Sequence, residues 1–261
     1  MYRAFNLQGL TTGSFEHSFD DFKRIGHSQN EQTETSIRQS LEAYTGVDGT
    51  IDGSGLQEHW FPKIDAEVFI SHSHADTDLA KALAGWLYYH FSLTSFIDSC
   101  VWGYSEDLLR SIDNKHCRHD RNPDSYSYEK RNNSTSHVHM MLATALGKMI
   151  DKTECLIFLN TPNSISTADI DEPETHSPWL LFELGLASII RREDLRRSQL
   201  TCLSESDKRA NDLNVKYKLT KELEKLHPVT TSTLGTWRTR HQQLPADHAL
   251  DTLYELTKPK S

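Results

Sequence analysis

Apolar residues along this chain follow two periods, and the change from one to the other marks out the elements. Ala66-Glu67-Val68-Phe69-Ile70 reads as a short buried strand that ends at Ser71. Leu79, Leu83, Trp86 and Leu87 then recur at helical spacing over 76–91. Ser95-Phe96-Ile97 is a second strand, ending at Asp98. A helix follows from Ser105, whose hydroxyl suits an N-cap, through Leu108, Leu109 and Ile112. The polar stretch 114–136 reads as an inserted loop. A helix over 137–150 leads into Cys155-Leu156-Ile157-Phe158-Leu159, a third core strand. Ser177-Pro178-Trp179-Leu180-Leu181-Phe182-Glu183-Leu184-Gly185-Leu186-Ala187 is an apolar helix with one carboxylate in it. Beyond Arg192 the pattern weakens: Val215-Lys216-Tyr217-Lys218-Leu219 reads as a strand and 246–256 as a closing helix. Strand–helix alternation of this kind implies a parallel sheet covered by helices on both faces. Such sheets hold their ligand sites at the carboxyl ends of the strands.

The first 60 or so residues read differently. Phe15, Phe19 and Phe22 stand at i, i+4 and i+7 and predict a short amphipathic helix, with a second helix over 36–44. Gly46-Val47-Asp48-Gly49-Thr50-Ile51-Asp52-Gly53-Ser54-Gly55 is turn chemistry and reads as a linker; it lacks the spacing and terminal glutamate of a calcium loop. The expected division is therefore an N-terminal helical extension and linker over 1–62, and an α/β domain over 63–261 with the 114–136 insertion and a C-terminal helical elaboration.

Composition narrows the function classes. A net charge of −9 over 261 residues gives no bulk attraction to nucleic acid. The arginines at 191, 192, 196 and 197 read as a solvated helix end. No run approaches the roughly 18–20 continuous apolar residues of a membrane span, and the N-terminus lacks a signal-peptide core. Four cysteines without CxxC spacing fit reduced thiols, hence a cytoplasmic protein.

Two constellations carry chemistry. In the apolar helix Glu183 has Trp179 and Ala187 at i±4 and Leu180 and Leu186 at i±3, so its own face is apolar. A charge on such a face costs several kcal/mol unless it is paired or used; the alternative is a side chain that reaches solvent past its neighbours. The second is Ser71-His72-Ser73-His74-Ala75-Asp76-Thr77 after a strand. H-x-H-x-D suggests zinc ligation by His72, His74 and Asp76 as in a metal-dependent hydrolase, with His116, His119, His137, His139 and His176 available to complete a site. Against it, Thr77 stands where a further ligand belongs, and His72 and His74 otherwise read as pocket-rim residues.

Val68-Phe69-Ile70-Ser71, then Asp76, then Phe96-Ile97-Asp98, then Ser177 and Trp179-x-x-x-Glu183-Leu184 together resemble the TIR (Toll/interleukin-1 receptor) domain over roughly 65–190. The match is to its bacterial enzymatic members, with Leu180 in place of the usual cysteine and Pro178 between Ser177 and Trp179. The resemblance implies a flavodoxin-like α/β fold and cleavage of the nicotinamide–ribose bond of NAD⁺, which is substrate rather than cofactor; no metal is implied. It makes Glu183 the catalytic residue, stabilising an oxocarbenium-like transition state. Phe69, Ser71, His72, His74, Asp98, Trp102, Tyr104 and Trp179 become candidate substrate-binding positions. Each has a second reading: Ser71 as a helix cap, Asp98 as a turn residue or cap, Trp179 as core, and Trp102 and Tyr104 as loop aromatics. A stand-alone enzyme of this size resembles the signal-making component of Thoeris-type anti-phage systems. Its product would be a cyclic or conjugated ADP-ribose sensed by a separate effector protein, and homo-oligomers belong to this picture. TIR domains also include non-enzymatic adaptors, the alternative that fold alone leaves open.

Overall fold

Alternation within Arg3-Ala4-Phe5-Asn6-Leu7-Gln8 builds the first strand, β1 (Arg3–Gln8), with Phe5 and Leu7 buried on one face and Ala4 on the other. The computed structural model describes residues 2–34, 41–97, 99–119, 122–166, 173–190, 216–243 and 248–258. After β1 come α1 (Phe19–Glu34), α2 (Gly53–Trp60), β2 (Val68–Ser71), α3 (Thr77–Phe91), β3 (Ser95–Ile97) and α4 (Ser99–His116). A hairpin of β4 (Arg118–His119) and β5 (Asn122–Tyr126) precedes α5 (Tyr128–Lys152) and β6 (Cys155–Asn160). The chain continues through β7 (Glu174–Thr175), α6 (Pro178–Ile189), β8 (Tyr217–Lys218) and α7 (Thr220–Leu223). It closes with β9 (His227–Thr230), α8 (Thr231–Gln243) and α9 (Ala249–Leu256).

Five strands form one parallel sheet in the order β3-β2-β6-β1-β9, flavodoxin-like in having helices on both faces. One face carries α2, α4, α5, α6 and α7, packed through Leu56, Leu108, Leu142, Leu184 and Leu223. The other carries α3, α8 and α9, through Leu83, Leu87, Trp237 and Leu253, with Phe19 and Phe22 of α1 packed against that cluster. The chain leaves β2 for β3 on one side and returns to β6 on the other. The carboxyl end of β2 is therefore the point where successive connections diverge to opposite faces, and a crevice is expected there.

The core strands and α3 stand where hydrophobic periodicity put them. Four expectations differ. α4 begins at Ser99, so Ser105 lies inside the helix and does not cap it. The segment 1–62 is not an appended helical extension: β1 runs inside the sheet between β6 and β9. Its alternating asparagine and glutamine hide it from a search for continuous apolar strands. The 114–136 stretch is not an open loop but the end of α4, the β4–β5 hairpin and two turns of α5, capped by Ser127. In the glycine-rich linker Thr45 pairs with Ile51 across a turn, and Asp52 caps α2 by accepting from the Ser54 and Gly55 amides at 3.1 Å. The second N-terminal helix falls mostly outside the described residues, which hold only a short 3₁₀ turn at Leu41–Tyr44.

Candidate functional site

Local sequence sets the position of the carboxylate helix. Ser177 caps α6 by accepting from the Leu180 amide at 3.2 Å, and Pro178 occupies the first turn, where its missing N–H costs nothing. Before the cap, β7 pairs antiparallel with β8, which ties the helix entry to the chain returning at 217–218. Glu174 on β7 is buried and meets Lys216 at 3.5 Å.

The face of α6 turned to the sheet consists of Leu180, Glu183, Leu184 and Ala187. Glu183 is 0% exposed. This settles its two sequence readings: the side chain does not escape to solvent. Ser71, also 0% exposed, donates its hydroxyl to Glu183 Oε2 at 2.7 Å. The distance is that of a well-formed O–H···O hydrogen bond. Ser71 caps no helix; Ser73 and Asp76 occupy the cap positions that follow. Residues 112 positions apart in sequence thus meet at the carboxyl end of β2, the end that the topology marks for a ligand. Because neither side chain has exposed surface, a ligand reaches Glu183 only when what covers it moves.

Asp76, on the loop after β2, is another buried carboxylate. Its carboxylate accepts from Thr161 Oγ1 at 2.5 Å and from Asn163 Nδ2 at 2.8 Å, which clamps the loop after β2 to the loop after β6. Ser164 continues the clamp by donating to the Leu159 carbonyl at 2.9 Å. Thr161, Asn163 and Ser164 were not expected from sequence. The polar turn Thr161-Pro162-Asn163-Ser164 directly after a core strand is the only local signal for them.

The other expected residues fall as follows. Phe69 is wholly buried, and its ring packs 5.2 Å from Phe96; it is a core residue. His72 is buried, with Nδ1 3.4 Å from the Ile70 carbonyl and Nε2 3.5 Å from Thr77 Oγ1, while His74 is exposed. With Asp76 committed to Thr161 and Asn163, His72, His74 and Asp76 do not converge into a metal-ligand cluster. The cluster that does form among the described residues is Glu154, His248 and Asp251, at the opposite, amino end of β6. Trp179 is half-buried, meeting His139 of α5 edge-to-face at 5.8 Å and Phe182 at 6.4 Å. Desolvation there holds His139 below the ordinary histidine range. Trp102 and Tyr104 lie in the first turns of α4 rather than in a loop, and their side chains are outside the described set. Asp98 also lies outside the described residues.

No helix among the described residues is long and apolar enough to cross a membrane. No family model, curated protein or solved structure matches the chain.

Proposed function

We propose that this chain is a TIR-type enzyme that cleaves the nicotinamide–ribose bond of NAD⁺, with Glu183 as the catalytic carboxylate. One observation carries the reading: the strand-end serine and the helix glutamate singled out by separate motifs are hydrogen-bonded to each other at the carboxyl end of β2. In the reaction the C1′–N bond breaks and its electron pair returns to the ring nitrogen, so nicotinamide leaves neutral. The ribosyl centre becomes cationic, and an anionic carboxylate held beside it gains interaction as that charge develops. Ser71 fixes the carboxylate rotamer, and the apolar neighbours Leu180 and Leu184 keep the local dielectric low. Capture of the cation by water yields ADP-ribose and a proton; capture by another nucleophile yields a cyclic or conjugated product. Within this reading the protein is cytoplasmic, self-associating and paired with an effector that senses the product.

The complete burial of Glu183 favours a second reading, a non-enzymatic TIR-like interaction module in which the Ser71–Glu183 bond only specifies packing. Incubation with NAD⁺, following nicotinamide by chromatography, separates the two. The enzyme reading expects release by the wild type and a loss of roughly 10²–10³-fold or more in Glu183→Gln. Equal release by both proteins would remove Glu183 from the mechanism. No release by either, with full binding to a partner retained in Glu183→Gln, is the outcome of the module.

A further inference from the structure

The strand inserted from the N-terminus brings a polar side chain to the same part of the sheet. Asn6 on β1 pairs with Phe158 on β6, and Phe158 pairs with Ser71 on β2, so the three form one row across the sheet. Residues paired in this way share a face. That face is the one covered by α6: Ala4, two residues before Asn6, lies in the cluster with Leu180 and Leu184, whereas Phe5 and Leu7 lie in the opposite one. Two strand spacings of ~4.8 Å put the Asn6 and Ser71 backbones about 10 Å apart, roughly the span of a nucleoside. One layer further toward the carboxyl ends, Gln8 pairs with Asn160 on the same face. The apolar row Phe69, Leu156 and Ala4 thus gives way to polar residues where the strands end.

Asn6 is 7% exposed, and its Oδ1 accepts no hydrogen bond. An orphaned carbonyl in a central strand costs stability that an apolar residue there would not. Strand propensity argues against asparagine as well. A residue that fails both local and packing criteria is expected where function requires it.

We propose that Asn6 is a ligand-binding residue of the Ser71–Glu183 site, its Oδ1 accepting from a hydroxyl or amide N–H on the nicotinamide–ribose half of NAD⁺. The inference rests on the NAD⁺ reading of that site. It extends the site onto β1, which lies outside the segment carrying the TIR resemblance.

Calorimetric titration of NAD⁺ into the wild type and into Glu183→Gln tests it, alongside Asn6→Ala, Asn6→Val and Asn6→Ser in the Glu183→Gln background. Each protein is also melted without ligand. The expected result is a Kd raised about tenfold by Asn6→Ala and Asn6→Val, the value of one neutral hydrogen bond. Asn6→Ser keeps an acceptor and recovers part of the affinity. The ligand-free melting temperature of the valine variant stays at or above that of its parent, since the orphaned acceptor is gone and strand propensity is improved. In the wild-type background, KM rises more than kcat falls. NAD⁺ affinity unchanged in whichever of the alanine and valine variants fold overturns the assignment of Asn6 alone, leaving Oδ1 a packing or water-bound group. NAD⁺ binding by neither the wild type nor Glu183→Gln overturns the site reading, and the role of Asn6 with it.

Discussion

Ser71 and Glu183 divide one task unequally. Removing the hydroxyl leaves a buried carboxylate short of a donor, whereas removing both polar groups leaves an apolar contact between strand and helix. Ser71→Ala is therefore expected to destabilise the fold by about 1–3 kcal/mol, a drop of roughly 2–4 °C in Tm per kcal/mol for a chain of this size. The double variant Ser71→Ala with Glu183→Leu should recover part of that stability, because the carboxylate that missed the hydroxyl is gone, while the other interaction of Glu183 is lost with it. Thermal melts of the four proteins of this cycle check the prediction. A double variant less stable than both singles would mean that the pair is retained for folding rather than for chemistry.

Among the helices, α1 and α3 cross so closely that each supplies a glycine to the contact. A β-carbon on Gly85 would collide with the Phe22 carbonyl oxygen, and one on Gly26 with the Lys81 carbonyl oxygen. These partners are backbone atoms, so a shift of the whole helix is the only relief. Gly85→Ala should cost about 3 kcal/mol or more, although alanine is the better helix former; urea unfolding measures the difference. The exposed Lys23–Asp78 pair at 3.3 Å joins the same two helices and adds little to them. At the end of α3, His90 lies against Trp86, Phe22 and Phe91. Burial, and next the charge of Arg238, hold it below the ordinary histidine range. The unfolded chain therefore takes up the proton first as pH falls. The contribution of His90 is fully present above about pH 6.5, is lost as pH falls from there toward the depressed folded value, and is constant below it. His139, depressed by desolvation alone, adds to the same slope. Urea midpoints at pH 7.5 and 5.5 should differ less in His90→Phe than in the wild type.

The molecule as a unit depends on its first strand. Without β1, the central strand β6 loses one of its two neighbours and β9 loses the one neighbour it has among the described residues. Arg3 also anchors the last helix, donating to the Tyr254 carbonyl at 2.8 Å and to Thr257 Oγ1 at 3.0 Å. A chain beginning at Lys63, which retains every residue of the TIR resemblance, is expected to lack a cooperative thermal transition and to bind a dye for exposed apolar surface. A cooperative melt like that of the full chain would show that β1 is dispensable.

Hydrophobic periodicity was enough for β2, β3, β6, α3 and α6, because each buries a continuous run or a regular stripe and the period survives in the linear order. It was also enough to pick out Glu183, since a charge on an apolar helix face is a local anomaly, whereas Ser71 became a candidate only through the TIR resemblance. β1, β9 and α8 were not legible. Asn6 and Gln8 interrupt the first, Pro228 opens the second beside a half-buried histidine, and α8 buries only Leu234 and Trp237 among threonines and arginines. The partnership of Ser71 with Glu183, the clamp of Asp76 on Thr161 and Asn163, and the row from Ser71 through Phe158 to Asn6 had no trace in local pattern. Each depends on strand order and register, which are fixed when distant segments bury their apolar faces together. The chemical groups are thus written in the order of the residues, and which of them meet is decided by packing across the sheet.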